Sequence, residues 1–253
     1  MVKLLPISGK DLPENVCERR VSIAKLLLFG FAIPPIGLAY FIVRTMITDF
    51  EGSTYTNCEV LNILPSVSAI ARAQLLGWKL VTWLVLPFRL LIIYLYRRYY
   101  SHVFTRSLGC LVLLFFIYES LSTVVMALWV HISGDSMFHK VSVLSIWFSS
   151  FGYIGISFLC FKKQQCYAIE PHQRLSYMLK RKLVISYYSG TLIMWCWYPL
   201  HTYFCLPLAY SIFAFCEYIV SWSLMGYLWT SAFDFYPIYL CHDAQHGYFL
   251  TDI

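Results

Sequence analysis

The sequence predicts an all-α integral membrane protein, a six-helix transmembrane bundle with both ends in the cytoplasm. Three observations predict this fold class. Of the 253 residues, 59% are hydrophobic and only 13% are charged, whereas a soluble domain is about 45–50% apolar and about 25% charged. The apolar residues form long runs, and 17 of the 19 Lys and Arg residues lie between those runs. The chain therefore lacks the polar surface that a water-soluble globule requires.

Six apolar runs are long enough to cross a hydrocarbon core of about 30 Å, which requires about 17–25 helical residues. The predicted spans are residues 26–43, 75–95, 107–130, 141–161, 183–200 and 206–229. They divide the chain into an N-terminal segment (1–25), a membrane domain (26–230) with one large loop (44–74), and a C-terminal tail (231–253). The short connection between the last two spans predicts a tight hairpin.

The distribution of Lys and Arg predicts the orientation. With the N-terminus inside, the cytoplasmic segments 1–25, 96–106 and 162–182 carry five, three and six of these residues, and the opposite side carries three. Cytoplasmic loops are enriched in Lys and Arg, so both termini are expected in the cytoplasm and loop 44–74 in the lumen. The basic residues form no stripe with interleaved aromatic residues, so nucleic acid is not an expected partner despite the net charge of +6.

Three charged residues inside the predicted spans are candidates for catalysis: Arg89, Glu119 and Glu217. A charge at the centre of a membrane helix costs about 2.5–3.5 kcal/mol on insertion scales, and such residues mark functional sites by default. Either glutamate could act as a general base, a proton relay or a ligand for a lipid headgroup. The alternatives are a structural ion pair with Arg89, or a protonated glutamate that is hydrogen-bonded.

The large loop contains the polar segment Asn62-Ile-Leu-Pro-Ser-Val-Ser68. A serine nucleophile would require a general base and an oxyanion hole, and the sequence marks neither. The alternative is a loop packed on the bundle, with Pro65 fixing a turn.

Two histidine arrangements carry little weight. His131 and Asp135 are one residue closer together than in the acyltransferase pattern His-x4-Asp. Cys241, His242 and His246 offer no fourth ligand, so no metal site is expected.

The loop segment, together with residues farther along the chain, resembles the post-GPI attachment to proteins factor 2 family. The likeness extends in a single order over roughly residues 30–235. The residues that carry it are Asp49-Phe50, Cys58, Asn62, Leu64-Pro65-Ser66-Val67-Ser68, Trp78-Lys79, Arg89, Glu119, His201, Cys205, Tyr210, Ile212-Phe213-Ala214, Glu217-Tyr218 and Asp234-Phe235.

The resemblance implies a multi-pass protein of the Golgi membrane, with the endoplasmic reticulum as an additional location. Such proteins are required for fatty-acid remodelling of GPI anchors, at the reacylation of lyso-GPI on GPI-anchored proteins. The expected partners are membrane lipids, lyso-GPI-anchored proteins and an acyltransferase or other remodelling protein. No cofactor is expected, although an enzyme would need an acyl donor such as acyl-CoA or phospholipid. Candidate lipid or substrate contacts are Asn62, Pro65, Ser66, Ser68 and His201.

The resemblance leaves the class of function open. The chain could be the acyltransferase itself, or a non-enzymatic partner that presents lipid, flips it or stabilises an enzyme. A channel-like or signalling membrane protein is the third alternative.

The predicted topology leaves two cysteines facing the lumen, Cys58 in the large loop and Cys205 in the hairpin. Cys17, Cys166 and Cys241 are assigned to the cytoplasm. The lumen permits disulfides, so a bridge between Cys58 and Cys205 is expected. The alternative is two free thiols, with Cα atoms more than about 7 Å apart.

Overall fold

A computed structural model describes residues 19–103, 105–129, 137–164, 171–236, 238–243 and 247–252. The elements follow the order β1 (Arg19–Ser22), α1 (Ile23–Thr48), α2 (Phe50–Thr54), α3 (Val67–Ala73), α4 (Leu75–Val103), α5 (Arg106–Trp129), α6 (Met137–Gln164), α7 (Pro171–Thr202), α8 (Ala209–Trp229), α9 (Ser231–Asp234), β2 (Ile238–Asp243) and β3 (Gly247–Asp252).

Within the described residues, five helical segments are long and apolar enough to cross a membrane. They are Ile23–Thr48, Leu75–Tyr99, Ser107–Leu128, Met137–Lys163 and Ala209–Asp234. They overlap the first, second, third, fourth and sixth predicted spans, and they make the chain a multi-pass helical membrane protein. Helix α7 contains the predicted fifth span but is not among them. Its apolar half is rich in tyrosine and tryptophan, which are less hydrophobic than the aliphatic residues of the other spans.

The long helices form a closed ring around a common core. In order around the ring, α1 contacts α4, α4 contacts α5, α5 contacts α6, α6 contacts α7, α7 contacts α8, and α8 contacts α1. Large side chains from different helices fill the centre and are almost fully buried, among them Leu27, Tyr96, Phe116, Tyr153 and Tyr227. The ring therefore holds the first and last long helices side by side.

Buried tyrosine hydroxyls in this core are paired with serines of neighbouring helices. The Tyr187 hydroxyl lies 2.6 Å from Ser150 Oγ, and the Tyr227 hydroxyl lies 2.8 Å from Ser157 Oγ. A buried hydroxyl left without a partner costs about 1–3 kcal/mol. These hydrogen bonds therefore allow tyrosine side chains to be buried in the core of the bundle.

A three-stranded antiparallel sheet joins the two ends of the chain, in the order β1-β2-β3. The sequence predicts no strands, so the wholly α-helical expectation is wrong at the termini. Strand β1 passes directly into α1, where Ser22 Oγ accepts a hydrogen bond from Lys25 N at 3.4 Å. Because β1 pairs with β2, residues 19–22 and 238–243 lie on the same side of the bundle. Cys241 in β2 is disulfide-bonded, so its expected state as a reduced cytoplasmic thiol is wrong.

The predicted loop 44–74 is more ordered than expected. Helix α1 continues to Thr48, so Arg44 is helical, and the short helices α2 and α3 lie within the loop. Between them, residues 55–66 run as an irregular segment, which forms the site described below.

Candidate functional site

The loop segment 55–66 is fastened to the hairpin between α7 and α8. Cys58 and Cys205 form a disulfide with an S–S distance of 2.01 Å and a Cα–Cα distance of 5.3 Å. Leu208 N donates to the carbonyl oxygen of Leu61 at 2.9 Å. The two cysteines expected in the lumen are therefore joined, and the loop is tied to the bundle covalently and through its backbone.

Side chains of α8 hold the backbone of the segment Asn62–Ser68, which carries the family resemblance. Ser211 Oγ accepts from Ile63 N at 2.8 Å, and the Tyr210 hydroxyl accepts from Ser66 N at 3.0 Å. The Tyr218 hydroxyl donates to the carbonyl oxygen of Pro65. The backbone groups of an irregular segment have no partners in a helix or sheet, so side chains of α8 supply their hydrogen bonds instead.

Glu217 completes this set of contacts at the start of α3. Its Oε2 accepts from Val67 N at 2.8 Å, while Ser66, the N-cap of α3, accepts from Ala69 N at 3.2 Å. Ser66 Oγ and Ser68 Oγ are 3.1 Å apart. A carboxylate at a helix N-terminus is favoured by the exposed amides there, and this one binds the amide of Val67, between the two serines.

Asn62 and His201 border the segment. Asn62 is 5% exposed, and its Nδ2 donates to the Val60 carbonyl oxygen at 3.1 Å. Its Oδ1 is buried without a hydrogen-bond partner. His201, at the end of α7, is half-buried, and its ring lies 5.6 Å from Tyr210 and 4.9 Å from Phe213. Burial lowers the pKa of His201, so the imidazole is neutral at neutral pH.

Arg89 and Glu119 form a buried ion pair between α4 and α5. Ser120 Oγ accepts a second hydrogen bond from Arg89 at 3.1 Å, and the Thr123 hydroxyl donates to Glu119 Oε1 at 3.0 Å. The two side chains are 11% and 1% exposed. Desolvated charges of this kind persist only when they are paired and hydrogen-bonded.

The structure thus separates the three predicted catalytic candidates into two places. Arg89 pairs with Glu119, whereas Glu217 contacts the amide of Val67 in the loop. The alternative of a structural ion pair with Arg89 therefore holds for Glu119 and not for Glu217. Glu217 belongs instead with Pro65, Ser66 and Ser68.

The comparisons identify the family. A family model described as the Frag1/DRAM/Sfk1/Cwh43P N-terminal domain matches residues 23–238, which include every site residue above. The chain belongs to this family. A relative named Post-GPI attachment to proteins factor 2, from Drosophila pseudoobscura pseudoobscura, is 33% identical over 94% of this chain and 95% of its own length. The Drosophila melanogaster protein of the same name is 31% identical over 92% of this chain and 93% of its own.

A third relative, from Xenopus tropicalis, is named Acyltransferase PGAP2. It is 27% identical over 85% of this chain and 90% of its own length. The resemblance seen in the sequence is therefore confirmed. No solved structure matches the chain.

The sequence missed one buried cluster of this Frag1/DRAM family member. Lys180 Nζ contacts Asp234 Oδ2 at 2.7 Å, and Ser176 Oγ and the Tyr96 hydroxyl donate to the same carboxylate at 2.6 and 2.7 Å. The charge pattern predicts that Lys180 belongs to the cytoplasmic segment 162–182, but the structure buries its side chain completely. One sequence feature pointed to this cluster, because Asp234, the partner of Lys180, is among the residues that carry the family resemblance.

The remaining histidine and cysteine patterns do not extend the site among the described residues. His131, Asp135, His246, Cys17 and Cys166 lie outside the described residues. Cys241 and His242 are consecutive in β2 and so point to opposite faces of the sheet. Among the described residues, no group of three or more His, Cys, Asp or Glu side chains is arranged to hold a metal ion.

Proposed function

We propose that this protein acts in the Golgi membrane, at the reacylation of lyso-GPI on GPI-anchored proteins during fatty-acid remodelling. The observation that carries the proposal is the 33% identity, over 94% of the chain, to a protein named Post-GPI attachment to proteins factor 2. The name Acyltransferase PGAP2 of another relative supports the enzymatic form of the proposal.

The proposed topology has six crossings with both termini in the cytoplasm. Helix α7 provides the fifth crossing, because it packs along α8, itself a candidate span, and joins it through a short hairpin. The pairing of β1 with β2 brings the two ends together, as an even number of crossings requires. The excess of Lys and Arg in the cytoplasmic segments supports the orientation. The segment Asn62–Ser68 then faces the lumen, where GPI-anchored proteins are displayed.

In the enzymatic form, the free glycerol hydroxyl of the lyso-lipid attacks the carbonyl carbon of an acyl donor. A general base takes the hydroxyl proton, the new ester forms, and the bond from the donor's acyl group to its leaving group breaks. Glu217 is the proposed base, because Glu119 is already paired with Arg89. Glu217 also contacts the amide of Val67, which stands between Ser66 and Ser68, and the hydroxyls of those serines can orient the incoming lipid.

A non-enzymatic role is the second candidate, and the same contacts favour it. Glu217 holds the start of α3, and Glu119 neutralises Arg89. Each carboxylate thus has a structural partner, as expected of a scaffold that presents lipid to another enzyme.

Deletion of the gene in cells tests the proposed cellular role. The cells should lose GPI-anchored proteins from their surface, because a single acyl chain holds a protein only marginally at a membrane while two chains hold it stably. Proteins with a transmembrane anchor are the control and should be unaffected. Normal surface levels and normal anchor lipids in these cells would reject the proposal.

Purified protein incubated with lyso-GPI and an acyl donor separates the two candidates. Acyl transfer should be lost in Glu217→Gln and retained in Glu51→Gln, which changes an exposed glutamate of α2 in the same luminal region. Protease resistance of segment 55–66, measured in parallel, shows whether Glu217→Gln has merely released the loop. Wild-type protein that rescues the cells but transfers no acyl group would establish the non-enzymatic role.

A further inference from the structure

An apolar groove runs along the outer surface of the bundle between α1 and α4. Its volume is about 400 Å³, and both helices are candidate membrane spans. The groove therefore lies at the depth of the lipid tails. Its walls are formed almost entirely by carbon, from residues that include Phe29, Ala32, Ile36, Tyr40, Phe41 and Val81.

Two close contacts bring α1 and α4 together near the groove. A Cβ atom at Gly30 would overlap the ring of Phe88, and a Cβ atom at Gly77 would lie 2.6 Å from the ring of Phe41. Each glycine thus admits an aromatic ring and draws the two helices together, as small residues do in membrane bundles. The residues of α1 that line the groove, from Phe29 to Phe41, flank these contacts.

The luminal end of the groove adjoins the loop site. Phe41 lines the groove and also packs in one buried cluster with Ile70 of α3 and Tyr218 of α8. Tyr218 in turn donates to Pro65 in the loop and is the neighbour of Glu217. A molecule with an apolar chain in the groove would therefore have its polar end close to the segment Asn62–Ser68.

We infer that this groove binds one fatty-acyl chain of a membrane lipid, with the lipid's polar end at the segment Asn62–Ser68. The groove's volume of about 400 Å³ lies within the range of about 300–1,000 Å³ that is typical of small-molecule sites. Surrounding lipid tails are equally apolar, so retention of one chain depends on van der Waals fit to the walls. The inference rests on the proposed function, in which the lyso-GPI supplies the chain.

Photolabelling tests the groove directly. The full-length protein is placed in phosphatidylcholine nanodiscs that contain a trace of phosphatidylinositol with a photoactivatable group in mid-chain. Labelling is compared at Ile36 in the groove and Leu192 on α7, which are both 67% exposed and lie near the middle of their predicted spans. A retained chain should label Ile36 several-fold more than Leu192, whereas unbound lipid should label the two equally.

Substitutions that fill the groove provide the matched comparison. Ala32→Phe should reduce labelling at Ile36 to the level at Leu192. Ala39→Phe, an exposed alanine of the same helix outside the groove, should leave the enrichment intact. If Ala32→Phe does not fold, Val81→Phe fills the groove from the opposite wall. Equal labelling of Ile36 and Leu192, an enrichment that survives groove filling, or cross-linking of Ile36 to a second polypeptide in native membranes would overturn the inference.

The photolabelling experiment needs no acyl transfer, so the two proposals can fail separately. Selective labelling in a protein that has no effect on GPI anchors would support the groove and reject the proposed function. Uniform labelling in a protein that rescues the cells would reject the groove alone.

Discussion

Breaking the ion pair between Arg89 and Glu119 should strongly destabilise the bundle. In Glu119→Gln the guanidinium keeps a hydrogen-bond acceptor but loses its counter-charge, and with an 11% exposed side chain it cannot regain full hydration. Removing one member of a buried pair costs about 3–5 kcal/mol, so we expect about 3 kcal/mol for Glu119→Gln. Glu119→Leu, which also removes the acceptor, should cost about 5 kcal/mol by the same reasoning.

The double variant Arg89→Met with Glu119→Leu removes both charges. Replacing a buried pair with apolar side chains is often neutral or stabilising, so the double variant should recover most of the loss. Equilibrium unfolding in mixed micelles measures these free energies, and Glu51→Gln, at an exposed position of α2, serves as the control with little expected effect. If Glu119→Gln is as stable as Glu51→Gln, or if the double variant is as unstable as Glu119→Leu, the pair does not stabilise the fold.

Three further predictions concern other contacts and the topology. Cys58 and Cys205 should resist thiol labelling in denatured protein until a reductant is added, and full labelling beforehand would exclude the bridge. Lys180→Met should destabilise the protein by about 3–5 kcal/mol through the unpaired Asp234 carboxylate, while Lys182→Met, at an exposed position two residues away, should have little effect; equal effects of the two would contradict the buried pair. Epitope tags at both termini should be reached by antibody when only the plasma membrane is permeabilised, and a tag in loop 44–74 should stay hidden; an accessible loop tag would reverse the orientation.

Much of the helical plan could be predicted from the sequence because membrane spans are specified locally. A run of about 20 apolar residues satisfies its backbone hydrogen bonds internally, so no knowledge of neighbouring helices is required. The apolar run does not define the ends of the helix, as α1 shows. The helix begins at Ile23 and ends at Thr48, beyond the apolar run at both ends, because helical hydrogen bonding does not stop where hydrophobicity does.

The contacts that build the site depend on pairs that are distant in sequence. Glu217 was recognised as an unusual charge, but its partner is the backbone amide of Val67, 150 residues away. An amide has no sequence signature, so the sequence could suggest a pairing with Arg89 but could not exclude it. The sequence likewise places Lys180 in a loop. Its burial depends on Asp234, which lies 54 residues farther along the chain and cannot be paired with it by local pattern.

The terminal sheet imposes an order on assembly in the cell. Strand β1 precedes the first span, and its partner among the described strands is β2, which follows the last span. At about 5–20 residues per second during synthesis, β1 waits on the order of 10–40 seconds before its partner leaves the ribosome. A chain truncated before residue 238 would keep β1 as an open strand edge, and such edges recruit other chains. Closure of the sheet thus occurs only after synthesis has passed the last membrane span.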